Sequence, residues 1–277
     1  MAGFPLRTLL VLLGLWCAPA PAAPDSVSDA LAAALQAPVV NCGAAQLDAQ
    51  RLAPYYAAAE TMPVWVSASG AGARAQLLRT ALQNAGHEGL SPVRYRIADI
   101  EAYWSATTPA EQACLELLLT AGFDRYSRDV RRGLTGPHEA DPSWQLQPAP
   151  FDPVAALQAA GTDGDLARLL ETLPPVHSAY ARLRTALARY RRLAEQGGWP
   201  PLPAGPKLAP GDEHEQVVLL RARLRSEGDL PLFALSFGTR YDAPLATAVE
   251  NFQHRHGLHA DGIVGTRTRA ALNVPAA

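Results

Sequence analysis

The chain has 277 residues, a formal net charge of −2 and 18% charged residues. That length accommodates one large domain or two smaller ones with cores of their own, and the near-neutral balance argues against a nucleic-acid binder, which carries a basic excess. An apolar content of 48% excludes a disordered chain. At the N-terminus, Arg7, the apolar run Leu9 to Trp16 and the small residues Ala20-Pro21-Ala22 read as a signal peptide over 1–22, cleaved after Ala22. The apolar run is too short to span a bilayer as a helix. Cys17 raises the alternative of an acylated lipoprotein, but the bulky Trp16 stands where a small residue is expected. No later stretch is apolar enough to span, so the expected product is exported to the periplasm without stable membrane insertion.

Export leaves Cys42 and Cys114. An oxidising compartment permits a disulfide between them. The alternative is two free, small residues, with Cys114 on a buried helical face where free cysteine is common.

Helical punctuation then recurs. "SDALAAALQ" opens with a Ser/Asp start at Ser28, and "ARAQLLRTALQNAGHEG" places Leu77, Leu78, Ala81 and Leu82 on one face and ends at Gly86. In "TPAEQACLELLLTAGFDRYSRDVRRG", Thr108 is the N-cap, Pro109 the first helical residue, Glu111 the partner in a capping box and Gly133 the stop. A Pro-rich loop follows, then short helices in "DPVAALQAAG" and "DGDLARLLETL". "HSAYARLRTALARYRRLAEQGG" sets Tyr180, Leu183, Leu187, Tyr190 and Ala194 on one stripe. No run alternates apolar and polar residues long enough to predict a strand.

The Pro/Gly-rich stretch 197–212 marks the domain boundary. Beyond it, three helices are expected. One buries Val217, Leu220 and Leu224; the next, capped by Asp242 and ended by Gly257, buries Leu245, Val249 and Phe252; the last is capped by Thr266. The predicted fold is therefore mainly α, a helical domain at 23–204, a linker at 205–211 and a small three-helix domain at 212–274.

The ordered set "AVENFQHRHGL", "DGIVG" and "TRTRAAL" resembles the three-helix peptidoglycan-binding domain of cell-wall enzymes. Each element has a physical reason: Gly257 takes the left-handed conformation that ends the helix, Leu258 folds back beside it, Asp261-Gly262 makes a turn needing positive φ, and Gly265 lets the chain enter the last helix closely. Upstream, "PVWV", "HEGLSPVRY" and "YRRLAEQGGWPPLP" resemble the scaffold domain of large periplasmic L,D-transpeptidases, in which a peptidoglycan-binding domain follows the scaffold. The resemblance implies peptidoglycan as partner; no cofactor is expected, and Gln253, His256 and Asp261, around turns closed by Gly257, Gly262 and Gly265, are read as the ligand site because their side chains present donors and acceptors there.

The same family uses a cysteine nucleophile in an S-x-G-C-x-R type context. Cys17, Cys42 and Cys114 lack that context, so no catalytic residue is expected in this chain, and the transpeptidase domain would lie beyond residue 277. Three readings follow: a non-catalytic wall-binding protein, the leading part of a complete L,D-transpeptidase, or a hydrolase using carboxylates such as Glu139, Asp141 and Asp152. The third needs a carboxylate pair about 5 to 10 Å apart, and nothing in the sequence selects one.

His254, His256, His259 and Asp261 raise a metal site. His254 and His256, two apart on a helix, point about 200° apart, so the expectation is no metal. The run Arg182, Arg184, Arg189, Arg191 and Arg192 reads as a solvated face paired with Glu171 and Glu195 rather than a surface for anionic polymer. Trp65, Trp104, Trp144 and Trp199 are read as exposed yet mostly packing; Trp144, in the polar loop, is the candidate for stacking on a glycan ring.

Overall fold

The computed structural model describes residues 24–57, 62–145, 149–234 and 237–276. The signal-peptide reading at 1–22 and Cys17 lie outside the described residues. The molecule is mainly α-helical, and its residues fall into two compact units, one holding residues up to 85 with 91–174, the other holding 86–90 with 175–277. The long arginine-rich helix, which precedes the Pro/Gly-rich stretch, is grouped in the second of these units.

In the first unit, Ser26 rather than Ser28 caps α1 (Val27–Leu35), its side chain accepting from the Asp29 amide. An antiparallel hairpin of β1 (Val39–Cys42) and β2 (Ala45–Asp48) follows, then α2 (Ala49–Leu52), α3 (Pro54–Ala57) and a minimal hairpin of β3 (Val66–Ser67) and β4 (Gly70–Ala71). These hairpins correct the expectation of no strands. The alternation was present in "VVNC" and "AQLD" but spans only four residues each. Next come α4 (Ala73–Gln83), a 3-10 segment over Asn84–Glu88, a second over Pro92–Tyr95, and α5 (Ile97–Tyr103). The expected stop at Gly86 shifts: α4 ends at Gln83 and the positive φ belongs to Gly89.

The organising element is α6 (Pro109–Arg132), capped by Thr108 and opened by Pro109 as the sequence predicts. Glu111 bonds the Thr108 hydroxyl at 2.8 Å. Leu115, Leu117, Leu118, Leu119 and Phe123 are buried, but so are Gln112, Glu116, Thr120 and Asp124, a polar row at four-residue spacing. A helix buried on every side marks the centre of a core, and its polar row must find partners within the protein. Glu116 accepts from the Val64, Trp65 and Val66 amides at 2.8 to 2.9 Å and from the Tyr56 hydroxyl at 3.0 Å. Thr120 accepts from Trp65 Nε1 at 2.9 Å, and Asp124 holds Tyr55, Arg51 and Arg128. Trp65, read as exposed, is thereby buried. Cys42 and Cys114 form a disulfide linking β1 to α6 across 72 residues, which resolves the open pairing.

The unit closes with α7 (Pro137–Ala140), α8 (Pro153–Ala159) and α9 (Asp163–Thr172).

The second unit contains α10 (Ser178–Glu195), α11 (Gln216–Glu227), α12 (Ala243–Arg255) and α13 (Thr266–Leu272). The predicted stripe on α10 is not a core face: no residue of the helix is buried and Leu183 is 68% exposed. Its arginines pair differently from the expectation. Arg184 bridges Glu88 at 2.8 Å, and Arg189 and Arg191 reach backbone carbonyls of Glu227 and Gly86.

Candidate functional site

The three C-terminal helices close around Val217, Leu220, Leu224, Leu245, Val249, Phe252, Val264 and Leu272. Helical spacing in the sequence places Val217, Leu220, Leu224, Leu245, Val249 and Phe252 on inward faces; Val264, from the turn before α13, and Leu272 complete the core. Leu208, from the stretch read as a linker, and Leu202, just before it, are buried in the same core, and Leu208 forms an antiparallel bridge with Val264. The segment 205–211 thus packs onto this unit.

The end of α12 forms a Schellman cap. Gly257, with φ +64°, lets its own amide reach the His254 carbonyl at 3.2 Å and the Leu258 amide reach the Gln253 carbonyl at 2.8 Å. Gly262, at φ +67°, turns the chain again, and Tyr241 donates its hydroxyl to the Gly262 carbonyl at 2.7 Å. Gly265 behaves otherwise than expected. It is the N-cap of α13 at φ −85°, and a Cβ there would meet open space, so close approach is not why glycine stands there. Thr266 is the first helical residue, not the cap.

Gln253 is fully buried and ties these turns together. Its Oε1 accepts from the Asp261 and Gly262 amides at 3.0 and 2.9 Å, and its Nε2 donates to Asp261 Oδ1, the Ile263 carbonyl and Thr268 Oγ1 at 2.9 to 3.1 Å. With both ends of the amide so engaged, Gln253 supports the turn rather than offering itself to a ligand.

Asp261 stays exposed. The Gln253 amide, then the Ile263 amide, hold its carboxyl below the usual carboxylate range. Asp261 lines an open groove of about 330 Å³ together with His259, Lys207, Thr266 and Arg267. His256 does not line this groove. It stacks on Phe252, ring centroids 4.1 Å apart, and partial burial, then Arg255, lowers its pKa, favouring the neutral imidazole. The structure therefore brings Gln253 and Asp261 together and leaves His256 on another surface. Lys207 escaped the sequence reading because it sat in the supposed linker; Thr266 and Arg267 escaped it because nothing local distinguishes them from other helix-start residues.

His259 Nδ1 lies 3.5 Å from Asp261 Oδ2, and among the described residues no three His, Cys, Asp or Glu side chains converge to hold a metal. The carboxylates weighed for hydrolysis serve local structure instead. Asp152 caps α8, Asp141 accepts from the Ser143 amide and hydroxyl, and Glu139 accepts from the Gly136 amide. Cys42 and Cys114, being disulfide-bonded, present no thiolate. Trp144 is 47% exposed, as expected of the polar loop. Trp199 is half-buried, with the Arg223 guanidinium 3.6 Å from its ring.

The unit is thus three helices, the central one Schellman-capped, with a polar groove at the turns that follow it. Compared with known families, residues 213–272 match the peptidoglycan binding domain family and residues 50–187 match the Scaffold domain family. No curated protein matches the chain. These matches support a cell-wall-associated, multi-domain protein with a peptidoglycan-binding role. No helix among the described residues is long and apolar enough to cross a membrane.

Proposed function

We infer that this chain is an exported, periplasmic protein of the L,D-transpeptidase type, in which the scaffold precedes a module that binds peptidoglycan through the groove beside Asp261. The observation that carries the reading is the order of the two matched regions, scaffold then peptidoglycan-binding domain. The Cys42–Cys114 disulfide supports export, since such bonds persist in oxidising compartments. The domain limits proposed are 23–204 for the scaffold and 212–274 for the binding module.

In the groove, Asp261, Thr266, Lys207 and Arg267 offer acceptors and donors of both charges. That mixture suits a stem peptide or N-acetyl group, which carries amides and carboxylates. Single polar contacts in an open groove contribute about 0.5 to 1.5 kcal/mol each, so one module binds weakly and gains from multivalent attachment to a polymer. His256 contributes from the neighbouring surface.

Co-sedimentation with purified sacculi tests the reading. Arg267→Ala and Lys207→Ala should each weaken binding by up to about tenfold with circular dichroism unchanged. Wild-type retention in both variants would remove the groove from the site. Retention in His256→Ala would remove that residue alone.

A further inference from the structure

The first unit carries a cleft that the binding module does not explain. It lies where the end of β2 and α2, the 3-10 turn before α5, and α6 meet, and it encloses about 280 Å³. Four arginines line it, Arg51, Arg94, Arg96 and Arg125, against two aspartates, Asp48 and Asp124.

Both aspartates are already engaged. Asp48 Oδ1 accepts from the Arg51 amide as the cap of α2, and buried Asp124 takes Tyr55, Arg51 and Arg128. The arginines are engaged only in part: Arg51 bonds Asp124 through Nε at 2.7 Å and a terminal nitrogen at 2.6 Å. A guanidinium carries five N–H donors. Arg94 uses Nε on Asp129 at 3.2 Å; Arg96 uses one nitrogen on Asp99 at 3.4 Å and another on the Gln46 carbonyl at 3.5 Å; Arg125 bonds the Arg94 carbonyl at 3.3 Å. Arg51, Arg94 and Arg96 remain 55%, 42% and 40% exposed while these contacts fix their orientation. Arg96 adds a second observation. It is the residue other than glycine that adopts a positive φ among the described residues, at +54°, and it does so at the junction that brings it to the cleft. For a residue with a Cβ that conformation is uncommon.

We propose that this cleft in the scaffold unit binds an oxyanion, a carboxylate or phosphate group displayed on cell-wall polymer, between the guanidiniums of Arg51, Arg94, Arg96 and Arg125. Arginine forks match both groups in a bidentate manner. The volume fits one anionic group with its immediate substituents, not a run of sugars. The site is distinct from the groove beside Asp261 and stands or falls separately from it.

The test is an NMR titration of the chain with inorganic phosphate, with a short peptide carrying two free carboxylates, and with the same peptide amidated. Saturable shifts are expected at residues 94–96 and 121–125 with phosphate, the carboxylate peptide or both, and none with the amidated peptide. A response to the peptide alone assigns stem-peptide carboxylates; a response to phosphate alone assigns phosphate-bearing polymer; a response to both assigns a general oxyanion site. Arg125→Gln, whose side chain is exposed, should weaken binding by about tenfold, the scale of one lost charge-assisted contact. Arg94→Gln should do the same; if its spectrum loses dispersion, Arg125→Gln decides. Absence of saturable shifts with either anion, or unchanged affinity in Arg125→Gln, overturns the proposal.

Discussion

Gln253 and Asp261 hold each other in both directions: the Asp261 amide donates to Gln253 Oε1 at 3.0 Å while Gln253 Nε2 donates to Asp261 Oδ1 at 2.9 Å. One buried amide on α12 thereby fixes the turn that presents an exposed carboxylate. Gln253→Ala would leave the Asp261 and Gly262 amides without their acceptor. It should destabilise the unit by about 2 to 4 kcal/mol, since each stranded donor costs about 1 to 3 kcal/mol. Gln253→Glu should also destabilise, because a carboxylate would face Asp261 Oδ1 and the Ile263 carbonyl where an N–H now donates. Urea unfolding of both variants measures this; a midpoint shift equivalent to less than about 0.5 kcal/mol, the range of neutral surface changes, would show that the turn holds without the amide.

The two turn glycines should respond differently to substitution. At Gly257 an added Cβ meets open space, so the cost is conformational alone: about 1 kcal/mol for Gly257→Ala and up to about 3 kcal/mol for Gly257→Val. At Gly262 the Cβ would also sit 3.2 Å from Glu250 Oε1. Gly262→Ala should therefore cost more than Gly257→Ala, unless the Glu250 side chain swings aside, and Gly262→Ala with Glu250→Ala should recover the difference. Thermal melts of the three proteins decide it.

Glu116 should make stability depend on pH. Burial is the largest influence and raises its pKa from 4.5 to about 7, against the hydrogen bonds from Val64, Trp65, Tyr56 and Val66 that lower it. A carboxyl raised on folding binds its proton more tightly in the folded state. Its contribution is present in full below about pH 4.5 and is lost as pH rises through about 7. The shift corresponds to about 3 kcal/mol. Unfolding free energies measured across that window should fall with pH by an amount of that order. In Glu116→Gln the slope should vanish, and the protein should be weaker throughout, because the new NH₂ would oppose backbone N–H donors.

Removing the disulfide should weaken the first unit. Closing a 72-residue separation removes chain entropy from the unfolded state worth about 4 kcal/mol. Cys42→Ala with Cys114→Ala should lower the urea midpoint accordingly, and a reducing agent should do the same to the native chain while leaving the double variant unmoved.

Whatever depends on local spacing and backbone chemistry was legible in the order of the amino acids. Helical periodicity identified Val217, Leu220, Leu224, Leu245, Val249 and Phe252 as core; Thr108-Pro109 and Asp242 announced helix starts; and Gly257 and Gly262 announced positive φ, since few other residues accept it. Tertiary structure decided what depends on who stands opposite. Gln112, Glu116, Thr120 and Asp124 have the spacing of a solvated helix face, yet the backbone of Val64 to Val66 and the hydroxyl of Tyr56 come from distant parts of the chain to satisfy the carboxylate of Glu116, and the row is buried. On α10 the reverse holds: the amphipathic stripe is covered only in part, with Tyr180 on Glu88 and Tyr190 against Trp199, and Leu183 stays in solvent. Gln253 and His256 look alike as candidate ligand contacts three residues apart. Only the folded turn reveals that one is consumed by Asp261 and Gly262 while the other stacks on Phe252, because hydrogen-bond satisfaction is settled by geometry that no local pattern encodes.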